Sequence, residues 1–221
     1  WNSFWFSFRG TINKYCKGKK FKLCFKNAYT GKSYTNLEII NLLRKFNIKF
    51  IKYKAKQIAN ILSKGKVVGR LSGGSEYGPR ALGNRSILAD PRDKNMRDYL
   101  NKTVKHREIF RPFAPSILEE ENKKYFDLKT PSPYMLLVAK SKKPNKIPAA
   151  IHVDGTARVQ TINKTQNKKF YDIIKSFNKI TKVPCILNTS FNDAGEPLVE
   201  TPLDALICFF KNKIDFLILE D

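Results

Sequence analysis

Acidic residues are scarce in this sequence. Nineteen Asp and Glu stand against 42 Lys and Arg, a formal charge of +23 over 221 residues. A partner held by charge is therefore an anion: nucleic acid, an acidic surface or a phosphorylated small molecule. Histidine (two) and cysteine (four) are also rare, and Cys16, Cys24, Cys185 and Cys208 form no CxxC pair. No metal-ligand spacing results, and no resident metal is expected. Cys185 in VPCILN and Cys208 in LICFF lie in apolar runs and read as buried thiols in a reducing, cytoplasmic setting. No run approaches the roughly 20 apolar residues of a membrane-spanning helix, so no membrane partner is expected. The opening WNSFWFSFRG lacks a basic leader and a cleavage signal, so no signal peptide is expected in it. It also lacks a methionine, so a fragment that begins inside a longer element is expected.

What is present is enough apolar material for a core, 42% of residues, and an uneven supply of arginine. Lysine is spread over the whole chain, as on a solvated surface or in the Lys-, Asn- and Ile-rich products of AT-rich genomes. Six of the ten arginines fall between Arg80 and Arg111. A guanidinium offers a planar fork to an oxyanion, so clustered arginine points to a site for phosphate or carboxylate.

Strand-like and helix-like segments alternate, which predicts an α/β chain with a mixed sheet. Thr35 followed by Glu38 has the capping-box spacing, opening a helix with Leu37, Ile40 and Leu43 or Leu42 inward. NIKFIKY alternates like a short strand, AKQIANILSKG is a helix stopped by Gly65, and KVVGRL is a strand entering a glycine-rich loop. Further strands are expected at Tyr134–Ala139, near Ala157–Ile162, in VPCILNTSF and in IDFLILE. Helices are expected in NMRDYLNKTVK, in KKFYDIIKSFNKIT (Phe170, Ile173, Ile174 and Phe177 inward) and in TPLDALICFFKN.

Four stretches carry chemistry. GGSEYGPRALGNR is a glycine-rich loop suited to phosphate, although it is neither a P-loop nor GxGxxG. Its Arg80 and Arg85 would converge if a helix formed between them. VKHREIFRPFAPS sets Lys105, Arg107 and Arg111 beside Phe110 and Phe113, a cationic wall next to an apolar slot; His106 reads as a bystander. In HVDGTARVQT, Asp154-Gly155 is a turn, and Arg158 is a charge in a strand that must be paired or hold a ligand. His152 reads as structural. LNTSFN ends a buried strand in Asn188, Thr189, Ser190 and Asn192, polar groups able to bond phosphate oxygens; without GxSxG, a serine nucleophile is not expected.

In this order, EYGPRALGNRSILADPR, LNKTVKHREIFRPFAPSIL, HVDGTARVQT, VPCILNTSFNDAGEPLVETPLDA and IDFLILE closely resemble the C-terminal domain of the nodulation-type O-carbamoyltransferases, over roughly residues 48–221. The resemblance implies a YrdC-like twisted mixed β-sheet flanked by helices over residues 46–221. Residues 1–45 would be a remnant and linker of an actin-like domain that this chain lacks. It implies ATP and carbamoyl phosphate as substrates, carbamoyl-adenylate and pyrophosphate as products, and Mg2+ accompanying ATP. The missing domain would pass the carbamoyl group to a hydroxyl. By motif position it implies catalytic roles for Lys105, Arg111 and Arg158. Nucleotide contacts would come from Arg80, Arg85, Arg107, Asn188 and Ser190. Nucleic acid is not the expected partner, though a basic nucleic-acid- or nucleotide-binding module without complete transferase activity is the alternative. An inactive remnant serving as an interaction partner is a further one.

Overall fold

The computed structural model describes residues 27–220; the aromatic opening segment lies outside them. A seven-stranded mixed sheet forms from β1 (Val68–Leu71), β2 (Arg85–Ala89), β3 (Ala114–Leu118), β4 (Leu137–Lys140), β5 (Thr156–Ile162), β6 (Cys185–Ser190) and β7 (Phe216–Leu219). The order is β4-β5-β3-β6-β2-β1-β7. β1 with β7 and β3 with β5 are parallel, and the other pairs are antiparallel. Every residue of β1, β2 and β3 is buried, so both faces of the sheet's middle are covered.

Helices α1 (Asn36–Lys45), α2 (Ala55–Ser63), α3 (Met96–Tyr99), α4 (Asn122–Tyr125), α5 (Lys168–Thr181) and α6 (Pro202–Lys211) flank the sheet. Thr35 and Glu38 form the capping box of α1, and Thr201 with Asp204 forms that of α6. α5 buries Phe170, Ile173, Ile174 and Phe177 completely, joining Ile58, Ala59 and Leu62 of α2 in the main core. Cys185 and Cys208 are buried free thiols.

Four expectations are corrected. Residues 47–53 form no strand: Phe50 and Ile51 are exposed, and no sheet edge meets them. α1 turns Ile39 and Leu43 inward against Leu206 of α6, leaving Leu37 in solvent. β4 begins at Leu137 rather than Tyr134, because Met135 adopts φ 53°, outside strand geometry. No helix joins Arg80 to Arg85; β2 starts at Arg85 and pairs back on β1. Gly83 sets that path with φ 121°, and a Cβ there would come within 2.5 Å of the Phe170 ring.

Candidate functional site

The strand registers gather the four quoted stretches at one end of the sheet. Leu71 at the end of β1 faces Arg85 at the start of β2, and Ser86 faces Ser190 at the end of β6. Asn188 faces Ala114 at the start of β3, and Ser116 faces Gln160, which puts Ala114 level with Arg158. The β1–β2 loop, the 105–113 segment and the turn after β6 all emerge there.

The β1–β2 loop is tightly tied. Arg85 is fully buried and donates to the carbonyls of Ser72 (3.2 Å), Gly73 (3.1 Å), Asn84 (3.2 Å) and Lys32 (2.9 Å). Burial lowers its pKa, opposed first by Glu76. Arg85 thus braces the loop from below. Arg80, at the loop's tip, is exposed.

The 105–113 segment follows a five-residue π turn, Leu100–Val104. Fully buried Asn101 staples it, donating to the carbonyls of Ile109 (3.0 Å) and Arg111 (2.8 Å) and accepting from Arg107 Nε (2.7 Å). The Arg107 guanidinium lies 4.8 Å from the centre of the Phe113 ring, a cation–π contact. Lys105 is 3% exposed and donates to Ser190 O (3.1 Å), Ser190 Oγ (3.4 Å), Asn192 O (2.7 Å) and Asn192 Oδ1 (2.5 Å). Burial, reinforced by Arg107, pulls its pKa down to about 8. Arg111 is half exposed and pairs with Glu108 at 2.8 Å.

Arg158 differs from all of these. It is half-buried on β5; its buried Nε, like that of Arg85, has no hydrogen-bond partner, but unlike Arg85 its guanidinium makes no hydrogen bond or ion pair to any described residue. Burial lowers its pKa, then the charge of Arg80; Arg107 is lowered by burial, then by Arg111, with Arg158 adding to it. The cations of Arg80, Arg158, Arg107, Arg111 and Lys105 are thus linked by mutual repulsion. Two unit charges about 6 Å apart at an effective dielectric near 20 repel by roughly 3 kcal/mol, a cost that a polyanion among them would reverse.

Asn188 is buried, with its amide donating to Ala81 O (3.3 Å) and Gln160 Oε1 (2.9 Å), while its Oδ1 has no partner. Ser190 donates to Asn192 Oδ1 at 2.7 Å. Arg92 and Arg97, in the same sequence cluster, sit on Asp90 (2.6 Å) and Asp98 (3.1 Å). His152 and Asp154 both contact Thr156, as a structural turn does.

Sequence reasoning missed three features. Glu76 holds the loop's backbone, Gln160 holds its Leu82 carbonyl, and His106, with φ 44°, meets Asp193 at 3.1 Å. Glu76 and Gln160 stand within quoted motifs, yet neither has a charged or repeated neighbour to mark it. A hollow of about 280 Å3 lined by Lys123, Phe126, Asp127, Leu128, Lys129 and Lys142 shares no residue with this cluster. It holds no unsatisfied buried donor, whereas Arg158 does, so the cluster is the better site. Among the described residues, no three His, Cys, Asp or Glu side chains are placed to hold a metal ion, and no helix is long and apolar enough to cross a membrane.

Residues 59–221 match the family described as Carbamoyltransferase C-terminus. Nodulation protein NolO of Bradyrhizobium diazoefficiens is 45% identical over 75% of this chain and 31% of its own length. The chain spans about a third of the length of the curated relatives it matches (36%, 31% and 33% for three of them). Two solved structures share the fold. Escherichia coli YciO has a TM-score of 0.53 at 14% identity, covering 76% of this chain and 77% of its own. Full-length HypF, in a phosphate- and nucleotide-bound form, has a TM-score of 0.52 at 21% identity, covering 80% of this chain and 26% of its own. The strand order, the motifs in sequence and the family match agree: this chain belongs to the carbamoyltransferase family and has the YrdC-like fold of its C-terminal domain.

Proposed function

We propose that this chain is the carbamoyl-adenylate-forming part of an ATP-dependent O-carbamoyltransferase. The observation that carries the reading is the half-buried Arg158 guanidinium, which bonds no described residue, with Arg80 and Arg107 as its charged neighbours. That arrangement disfavours the empty site and favours an anion with several charges.

In this reading, water cleaves carbamoyl phosphate to carbamate and phosphate. A carbamate oxygen then attacks the α-phosphorus of ATP, forming one P–O bond, while the bond to the β-phosphate oxygen breaks and pyrophosphate leaves. Such a displacement needs alignment and charge neutralisation more than a protein nucleophile. Arg158 and Arg80 hold phosphate oxygens, Arg107 and Arg111 neutralise the second polyanion, and Lys105 meets the charge that develops on the leaving group. Ser190 and Asn188 orient Lys105 and the loop; Arg85 keeps the loop's backbone in place. Magnesium enters with ATP as part of the substrate. The phosphate- and nucleotide-bound state of HypF, which shares the fold, supports the assignment. Transfer to a hydroxyl acceptor belongs, on this proposal, to an actin-like domain that precedes residues 46–221 in the longer relatives, with residues 1–45 as remnant and linker.

The test is exchange of labelled pyrophosphate into ATP. It should require carbamoyl phosphate and vanish in Arg158→Ala at unchanged circular dichroism. A folded wild-type chain that exchanges nothing would refute the enzymatic reading.

A further inference from the structure

Glu76 is a carboxylate on a loop where bound anions would be unwelcome neighbours, and it is 7% exposed. Its Oε1 accepts from three backbone N–H groups: Leu82 (2.7 Å), Asn84 (2.7 Å) and Arg85 (3.2 Å). Its Oε2 is buried without a partner. One oxygen therefore gathers the donors that follow Arg80 in the chain, on a loop whose path turns at Gly78 (φ 108°) before Arg80 and at Gly83 (φ 121°) after it.

The loop's acceptors are held from the opposite side. Gln160 on β5 donates its Nε2 to Leu82 O at 2.8 Å, and Asn188 on β6 reaches Ala81 O at 3.3 Å. Gln160 is itself locked, because its Oε1 accepts from Ser116 Oγ (2.5 Å) and from Asn188 (2.9 Å). All three sheet residues are fully buried or nearly so. Of the two residues that follow Arg80 directly, Leu82 is thus gripped by its N–H and its carbonyl at once, and Ala81 by its carbonyl. Gln160 lies two positions along β5 from Arg158, on the same face of the strand. One strand therefore carries both an anion ligand and the anchor for the loop that brings the next one.

From this geometry we infer that Glu76 and Gln160 are positioning residues that clamp the β1–β2 loop and thereby aim Arg80 at the anion bound by Arg158. The inference rests on the functional reading above and adds to it the elements that fix the site's exposed cation, Arg80. The charge of Glu76 is not needed for anion binding; its acceptor oxygen is. A buried carboxylate surrounded by backbone donors gives the loop a rigid shape at the expense of a negative charge near the site, and its distance from the phosphates decides how far that charge is felt.

The test is calorimetric titration of the 221-residue chain with inorganic pyrophosphate, together with amide hydrogen exchange at Leu82, Asn84 and Arg85. Glu76→Ala should speed exchange at those three amides and weaken pyrophosphate binding about tenfold. Glu76→Gln, which keeps one acceptor oxygen, should hold both within about threefold of wild type. In an Arg80→Ala background, Glu76→Ala should cost no further affinity, because it acts through Arg80; a merely structural role would add its loss. Gln160→Leu should behave as Glu76→Ala does. Unchanged exchange and affinity in Glu76→Ala, or losses that multiply with Arg80→Ala, would overturn the inference. Absence of pyrophosphate binding in the wild type would instead strike the functional reading; the exchange measurement, which needs no ligand, tells the two failures apart.

Discussion

Arg85 and Arg158 stand at the same end of one sheet and use the same side chain in opposite ways. In the β1–β2 loop, the Arg85 guanidinium is committed to four backbone carbonyls and holds the chain's own path. At the start of β5, no nitrogen of the Arg158 guanidinium bonds a described residue, and a second cation lies beside it. A fixed arginine makes a scaffold; an uncommitted one, desolvated and repelled, is on the proposed function a receptor. The difference lies in which carbonyls the fold delivers to each guanidinium, since residue type alone does not separate them and Arg85 is the more buried of the two.

Variants should separate the two regions. The largest effect is expected from Arg158→Ala, which should lower pyrophosphate exchange by at least about a hundredfold, two charge-assisted hydrogen bonds being worth roughly 3 kcal/mol together, while the melting temperature stays put. Arg85→Leu should do the reverse: four carbonyls lose a buried donor and stability falls by about 3 kcal/mol in a urea titration. If Arg85→Leu keeps its stability and loses only activity, the distinction between scaffold and receptor is wrong.

A smaller effect should follow pH. Lys105 titrates at about 8 in the folded chain, below the ordinary lysine value of 10.5. Between these values the unfolded chain binds more protons, so the contribution of Lys105 to stability rises with pH. Its cation is lost over the same range, so pyrophosphate affinity should drop several-fold between pH 7 and pH 9. Lys105→Met should be weaker at pH 7 and flat across that range; a wild-type affinity that does not change would remove Lys105 from the site. The smallest effect is expected from the diffuse lysines. Replacing Lys123, Lys129 and Lys142 together by glutamine should shift nucleotide affinity by less than about twofold, since exposed charges are screened within a Debye length of about 10 Å. A larger shift would return the alternative of a basic nucleic-acid-binding module.

The fold was largely legible where a local signal sufficed. Thr35, Thr201 and the period of Phe170, Ile173, Ile174 and Phe177 each mark a helix by chemistry within a turn or two. β2 was not legible, because RSILA is a strand by virtue of pairing with β1 and β6, elements distant in sequence. NIKFIKY had the alternation without a partner strand to use it. In the site, motif position named the cations, but sequence could not tell Arg85 from Arg158. It also passed over Glu76, whose importance lies in three N–H groups that only the folded loop brings to one oxygen.

The central claim is that the cations gathered at one sheet end around Arg158, which bonds no described residue, form a discrete polyphosphate site. Calorimetric titration with Mg-ATP at low and moderate salt, on wild type and Arg158→Ala, tests it most directly. The account predicts saturable one-to-one binding that survives the added salt in the wild type and is lost in Arg158→Ala. Binding that persists in the variant, or that fades with salt equally in both proteins, would contradict it.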